Sequence, residues 1–256
     1  MSTSPTEAGG SLVHQAVEAV RTHIRLHDMK VGDTLPGEGQ FAAELGVSRA
    51  VMREAFGALA ALKLIDVGNG RRARVGAMDG SVIGASLDHA VTTAQISVAE
   101  VWDVRRTVEV RIAALAAEKR TDLQAQMILN LAEAMAAAQE DQQRMIQYDI
   151  AFHETIAQAA GNALFSQIVQ SFAPLMKIAV PQAWRTRTSQ EQKDNTIRLH
   201  RALARAIADA NPTAATAAME AHFDTSIGDI LRGKAPTGDV RGWMTGMDSA
   251  LPVLKK

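Results

Sequence analysis

Leu35-Pro-Gly-Glu-Gly-Gln-Phe-Ala-Ala-Glu-Leu-Gly-Val-Ser-Arg-Ala-Val-Met-Arg-Glu-Ala-Phe56 and, further on, Gly68-Asn-Gly-Arg-Arg-Ala-Arg-Val75 are the stretches that decide the fold. Pro36-Gly37 breaks the chain, and Gly37 can cap a helix whose first acid, Glu38, suits the positive end of the macrodipole. Phe41, Ala42 and Leu45 form the buried side of this short helix. Gly46 ends it, because glycine enters the left-handed conformation cheaply. Ser48 caps the next helix, with Val47 as its hydrophobic anchor. In that helix Val51, Met52, Ala55, Leu59 and Leu62 are expected to face inward, leaving Arg49, Ala50 and Arg53 at the exposed N-terminal side.

The flanks complete the unit. Leu12, Ala16, Ala19, Val20 and Ile24 follow helical spacing and predict a first helix from about Ser11 to His27. Leu64 to Val67 and Ala73 to Val75 alternate like the strands of a hairpin. Its tip, Gly68-Asn69-Gly70-Arg71-Arg72, carries turn glycines and two cations suited to the minor groove or the phosphates beside it. A plain helical bundle would explain two solvated arginines near a serine. It would not explain the full order of three helices, a Gly-Val-Ser-Arg turn and a basic wing. That order predicts a winged helix-turn-helix, which reads double-stranded DNA with the N-terminal residues of its second motif helix. Arg49 matters there because its planar fork can bond a guanine edge or a phosphate bidentately.

Composition bounds the rest. The 256 residues allow two domains, and 47% hydrophobic content allows a sizeable core. The chain has no cysteine, so a disulfide framework is excluded and a reducing, cytoplasmic setting is expected. No signal peptide and no segment long enough to span a bilayer is read, so no membrane partner is expected. Net charge is −1, and residues 11–76 hold nine Lys/Arg against seven Asp/Glu. The case for DNA therefore rests on where the cations sit, not on their sum.

The expected organisation is a disordered stretch 1–10, a DNA-binding domain 11–76, a linker 77–81, an all-helical domain 82–232 and a flexible tail 233–256. The fold class is mainly α, with a bundle of six or seven helices near 80–92, 97–120, 122–140, 143–160, 163–179, 190–210 and 212–232. Breaks are expected at Gly161-Asn162, Pro181 and Asn211-Pro212.

Polar residues interrupt the apolar stripes of this second domain. Met145, Asp149, Phe152, His153 and Ile156 share one face, as do Ile197, His200, Leu203, Ala204 and Ile207, and Met219, His222, Phe223, Ser226 and Ile230. A lone histidine on such a face is usually a hydrogen-bonded core residue. Three histidines and an aspartate together form a ligand set for a divalent metal ion: zinc first, nickel or another first-row ion as alternatives. His14, His23, His27 and His89 lie outside this pattern. Arg105 stands on the stripe Val98, Val101, Trp102, Arg105, Val108, Ile112, Leu115 and needs an anionic partner. Glu109, one turn on, can be that partner; so can a ligand carboxylate.

The segment Ser11–Val75 resembles the GntR family of bacterial transcription regulators, through Gly32-Asp-Thr-Leu-Pro36, Glu38, Ala43, Leu45-Gly-Val-Ser-Arg49, Arg53-Glu-Ala55, Leu59 and Gly70. The resemblance implies DNA contacts at Ser48, Arg49, Ala50, Val51, Arg53, Asn69 and Gly70; Arg71 and Arg72 of the tip join them. The chain departs from the family in Gly37 and Gly39, where a serine and an arginine are usual, and in Ala73-Arg74 of the wing. Residues from about Val101 to Leu231 resemble the all-helical effector-binding (FCD) domain of the FadR branch, through Val104-Arg-Arg-Thr-Val-Glu109, Ala113–Ala117, Asp149, Phe152-His153, Gly161-Asn162, His200, Ala206-Ile207 and His222. This resemblance implies a metal held by Asp149, His153, His200 and His222, with Arg105 clamping a small carboxylate. Thr196, Gln182 and Trp184, the last read as lying in the loop before the next helix, are candidates for the pocket. The expected protein is a homodimeric repressor, released from operator DNA by a sugar acid or hydroxy acid. A purely structural metal, or a metal-dependent hydrolase, are the competing readings.

Overall fold

The computed structural model describes residues 5–232; the expected disorder of residues 1–4 and the expected flexible tail 233–256 lie outside the described residues. The chain divides into two compact units, Met1–Val82 and Ile83–Lys256.

The first unit is built from α1 (Pro5–Leu26), α2 (Glu38–Leu45), α3 (Arg49–Ala61), β1 (Ile65–Asp66) and β2 (Arg74–Val75). Helix α1 begins at Pro5, so residues 5–10, expected to be disordered, are helical. Ala16 and Val20 of α1, Phe41 and Ala42 of α2, and Met52, Ala55, Phe56 and Leu59 of α3 close one small core with Leu35, Ile65 and Ala73. Gly37 caps α2 through its backbone alone, and Gly46 ends α2 at φ 65°. The Ser48 hydroxyl accepts from the Val51 amide, so α3 starts where the sequence placed it. Leu45 and Leu62, expected inside, are 41% and 52% exposed. Phe56 takes the inward position instead, since the larger ring fills the space against Phe41.

The wing is an antiparallel pair with Ile65 opposite Val75 and Asp66 opposite Arg74. Thr34 bridges to Arg74, and the Leu35 amide donates to the Ala73 carbonyl, so the segment before α2 lines the hairpin's other edge. Gly76 closes the hairpin: its amide donates to the Leu64 carbonyl, and a Cβ there would collide with the Lys63 carbonyl oxygen. That neighbour is backbone and cannot yield. Gly76→Ala is expected to destabilise the protein by about 1–3 kcal/mol, read as a lowered midpoint in thermal unfolding.

The second unit is all-helical among the described residues: α4 (Gly80–Thr92), α5 (Val98–Lys119), α6 (Asp122–Ala137), α7 (Gln142–Ala159), α8 (Ala163–Ser171), α9 (Ala173–Arg185), α10 (Gln190–Ala208) and α11 (Pro212–Arg232). Helix α4 starts in the first unit and ends in the second. Capping boxes at Ser97/Glu100, Thr121/Gln124 and Ser189/Gln192 set the starts of α5, α6 and α10. Asn211 caps α11 through the Ala214 amide, and Pro212 occupies a first-turn position where no donor is needed.

One expectation fails here. The single helix 163–179 is two helices, and Pro181 lies inside the second instead of breaking it. Pro174 is the reason for the break: it cannot donate to the Gln170 carbonyl, so α8 stops and α9 restarts with Pro174 in its first turn. Pro181 also lacks its donor, yet Leu175, Met176, Ala179, Ala183 and Trp184 bury around it and carry the helix through. Among the described residues no single helix is long and apolar enough to cross a membrane; the bent pair α8–α9 has the required length and composition only jointly, and much of its apolar surface is core.

Helix α5 runs through the middle of the unit, against α11, α7 and α10. Trp102, Ile112, Leu115, Ile128, Met135, Phe152, Ile156, Leu203, Ile207, Met219 and Phe223 belong to one continuous core. The expected inward positions Ser226 and Ile230 of α11, and the side chain of Gln182, lie outside the described residues.

Candidate functional site

Helical spacing brings the buried polar residues together. Asp149 and His153 sit one turn apart on α7, His200 comes from α10 and His222 from α11, and all four are buried. The imidazole centroids are 4.5 Å (His200–His222), 5.1 Å (His153–His222) and 6.2 Å (His153–His200) apart. One ring nitrogen from each histidine lies within 4.8 Å of the others. Asp149 Oδ1 is 3.2 Å from His200 Nε2.

The hydrogen-bond partners fix which nitrogens face inward. His200 Nδ1 is 2.9 Å from the Thr196 carbonyl, which only accepts, so Nδ1 carries the proton. Nε2 of a neutral His200 then presents a lone pair to the Asp149 carboxylate, acceptor against acceptor. A proton or a cation between them resolves that conflict. The 3.2 Å separation suits two donors on a common ion at about 2.1 Å, which keeps neighbouring ligands roughly 3.0–3.4 Å apart. His153 Nδ1 lies 2.5 Å from Glu109 Oε2, so it too turns Nε2 toward the cluster. A carboxylate behind a metal-facing histidine orients the ring and raises its basicity. The three histidines therefore form a donor set that fits a first-row divalent ion, with Asp149 brought beside it at His200.

Electrostatics agree. Burial and the two neighbouring imidazoles hold His222 well below its ordinary pKa, so it is a neutral donor. Burial works to raise Asp149, but the closeness of His200 and the other two histidines outweighs it and keeps the carboxyl far below its usual range. Glu109 behaves alike: burial opposes ionisation, while Arg105 and His153 prevail and keep it ionised.

Arg105 is 3% exposed and its Nε donates to Glu109 Oε1 at 2.7 Å. Of its two expected partners, Glu109 is thus present. Arg105 Nη1 contacts Met176 Sδ, and the guanidinium lies 4.9 Å from the Trp102 ring centroid. Arg105 still lines a cavity, with about 400 Å³ of space including its open mouth, together with Asp149, the three histidines and Thr196. The Thr196 hydroxyl donates to the Gln192 carbonyl at 3.1 Å, which leaves its oxygen free to accept. Trp184 lies within α9 rather than in a loop; it packs under Arg187 and is not among this cavity's lining residues.

Sequence reasoning missed two participants, Trp102 and Arg187, and half the role of a third. Glu109 was visible as a partner for Arg105, but its second bond, to His153, joins helices that no spacing rule connects. Trp102 and Arg187 both line the cavity. Trp102 reads as ordinary core on its stripe, and Arg187 follows the end of α9 where periodicity carries no signal.

In the first unit, Arg49, Ala50 and Arg53 are exposed at the start of α3 and Val51 is half-buried, while Ser48 is engaged in capping. The Arg49 guanidinium lies over Gly39, where a Cβ would stand 3.7 Å from it. Asn69, Gly70 (φ 72°), Arg71 and Arg72 form the exposed wing tip. Arg71 is tied to Asp66 at 2.7 Å.

A winged helix followed by an all-helical unit is the arrangement of a two-domain DNA-binding regulator. Residues 12–75 match the family of bacterial regulatory proteins named gntR, and residues 100–225 match the FCD domain. The HTH-type transcriptional regulator LutR of Bacillus subtilis is 29% identical over 213 residues, 82% of this chain and 96% of LutR. The HTH-type transcriptional repressor NanR of Salmonella newport is 27% identical over 235 residues, covering 87% of this chain and 90% of NanR. The solved structure of a Streptococcus agalactiae GntR superposes with a TM-score of 0.56 at 26% identity, over 83% of this chain and 97% of that one. The chain belongs to the GntR family of transcription regulators, in its FCD-containing, FadR-like branch. These relatives are transcription regulators, so the comparisons favour the regulator reading over the hydrolase one.

Proposed function

We propose that this regulator is a homodimeric repressor, released from operator DNA by a small hydroxy acid or sugar acid bound at a divalent metal, zinc first among the candidates. The observation that carries the reading is the convergence of Asp149, His153, His200 and His222 on one cavity that Arg105 also lines. A bound ion would supply a coordination position for a carboxylate. The chain's own residues supply the rest: Arg105 a cationic wall, and Thr196 an acceptor for a ligand hydroxyl. Release requires that the acid bind the DNA-competent and DNA-incompetent states with different affinity.

Thermal unfolding of the zinc-loaded protein against a panel of small carboxylates tests this. An acid at about 100 times its Kd adds roughly 2.7 kcal/mol of stability. A selective rise with one acid supports the sensor. No rise across the panel favours the second reading, a purely structural metal, for which the capture of Arg105 Nε by Glu109 speaks.

In the DNA unit, Ser48, Arg49, Ala50, Val51, Arg53, Asn69, Gly70, Arg71 and Arg72 form the proposed interface, with Arg49 as base reader. Arg49→Ala is expected to cost about 1–3 kcal/mol of operator affinity and to relax preference at one base pair. Fluorescence anisotropy with the operator and its single-base variants measures both, and unchanged affinity and preference would rule out the role.

A further inference from the structure

Trp102 lines the cavity, and its indole N–H is a buried polar group for which the described residues supply no partner. Trp102 is 5% exposed, so this donor has left water without gaining an acceptor. Its position is fixed from two sides. The ring meets Phe223 edge-on at 6.0 Å, and the Arg105 guanidinium lies 4.9 Å from its centroid. Phe223 adjoins His222, so the same packing that seats the indole also seats one histidine of the cluster.

An indole N–H only donates. What completes it is an acceptor oxygen, and the group beside it is a guanidinium whose Nε is already spent on Glu109. We propose that Trp102 is a specificity-determining residue of the effector site: its N–H donates to a carboxylate oxygen of the acid held beside Arg105 and the histidine cluster. The inference rests on the acid-site reading above. It adds that the acid is chosen by a rigid neutral donor as well as by charge, so an isosteric ammonium, which offers only N–H donors at that position, is refused.

The test uses the full-length, zinc-loaded protein labelled with 15N-tryptophan. The sequence has three tryptophans, so W184F and W243F identify the Trp102 indole signal by elimination. Glycolate is titrated as the smallest hydroxy acid and acetate as its counterpart without the hydroxyl. The Trp102 indole proton is expected to move downfield and exchange more slowly as either acid binds. W102F is expected to weaken binding at least about tenfold in calorimetry, with zinc content unchanged. An indole signal that stays in place while glycolate binds would overturn the assignment and leave the acid site standing. Absence of binding of both acids to the unsubstituted protein would remove the acid-site reading, and the assignment with it. The spectrum of the unsubstituted protein decides the matter even where W102F fails to fold.

Discussion

On the proposed reading, His200→Ala is expected to abolish the response to acid and to lower the metal content of the helical unit while leaving operator binding intact. The size of the effect follows from ligand number. Structural zinc sites gain about 10–16 kcal/mol from four ligands, so one ligand accounts for roughly a quarter of that and its loss for about a hundredfold to a thousandfold in affinity. His200 is the member whose removal is most direct, since its Nδ1 is spent on the Thr196 carbonyl and its Nε2 faces only the cluster and Asp149. Metal analysis of the purified variant, paired with operator binding with and without acid, gives the answer. His89→Ala is the control, being an exposed histidine of α4 outside the cluster. Full metal content with normal release in His200→Ala would sink the sensor.

The second large effect belongs to a residue that touches no ligand. Glu109→Gln keeps the shape of the side chain but removes the charge shared between Arg105 and His153. Both partners donate to it, Arg105 Nε at 2.7 Å and His153 Nδ1 at 2.5 Å. A glutamine has one acceptor oxygen and turns its NH₂ donors on the other partner. Leaving a buried arginine without its counter-charge costs about 3–5 kcal/mol. Losing the carboxylate behind a metal-facing histidine costs a further 10–100-fold in metal affinity. The two losses are separable: denaturation of the metal-free protein reads the first, and metal titration reads the second. Unchanged stability and unchanged metal affinity would show that Glu109 supports neither.

The fold was legible wherever one residue dictates one local geometry. Gly46 and Ser48 placed the turn between α2 and α3, and the Ser97, Thr121 and Ser189 starts follow from side chains that bond backbone within three residues. The candidate site was legible for a related reason: Asp149, His153, His200 and His222 each break an apolar stripe, and burial of a polar group needs a partner. What escaped was decided by tertiary contact. Pro181 reads as a breaker, yet the core around α9 overrides it. Leu62 reads as inward, yet α3 ends before its side chain reaches the core. Trp102 looks like filling until its unpartnered N–H is set beside its place in the cavity lining.

The three histidines come from α7 and from the consecutive helices α10 and α11, so that 47 positions separate His153 from His200 and 22 separate His200 from His222. An ion held by them would work as a cross-link, closing a long loop and removing conformational freedom from the unfolded chain much as a disulfide does. The sequence contains no cysteine, so such a clasp offers no disulfide for a reductant to cleave. A chelator would be the reagent that opens it.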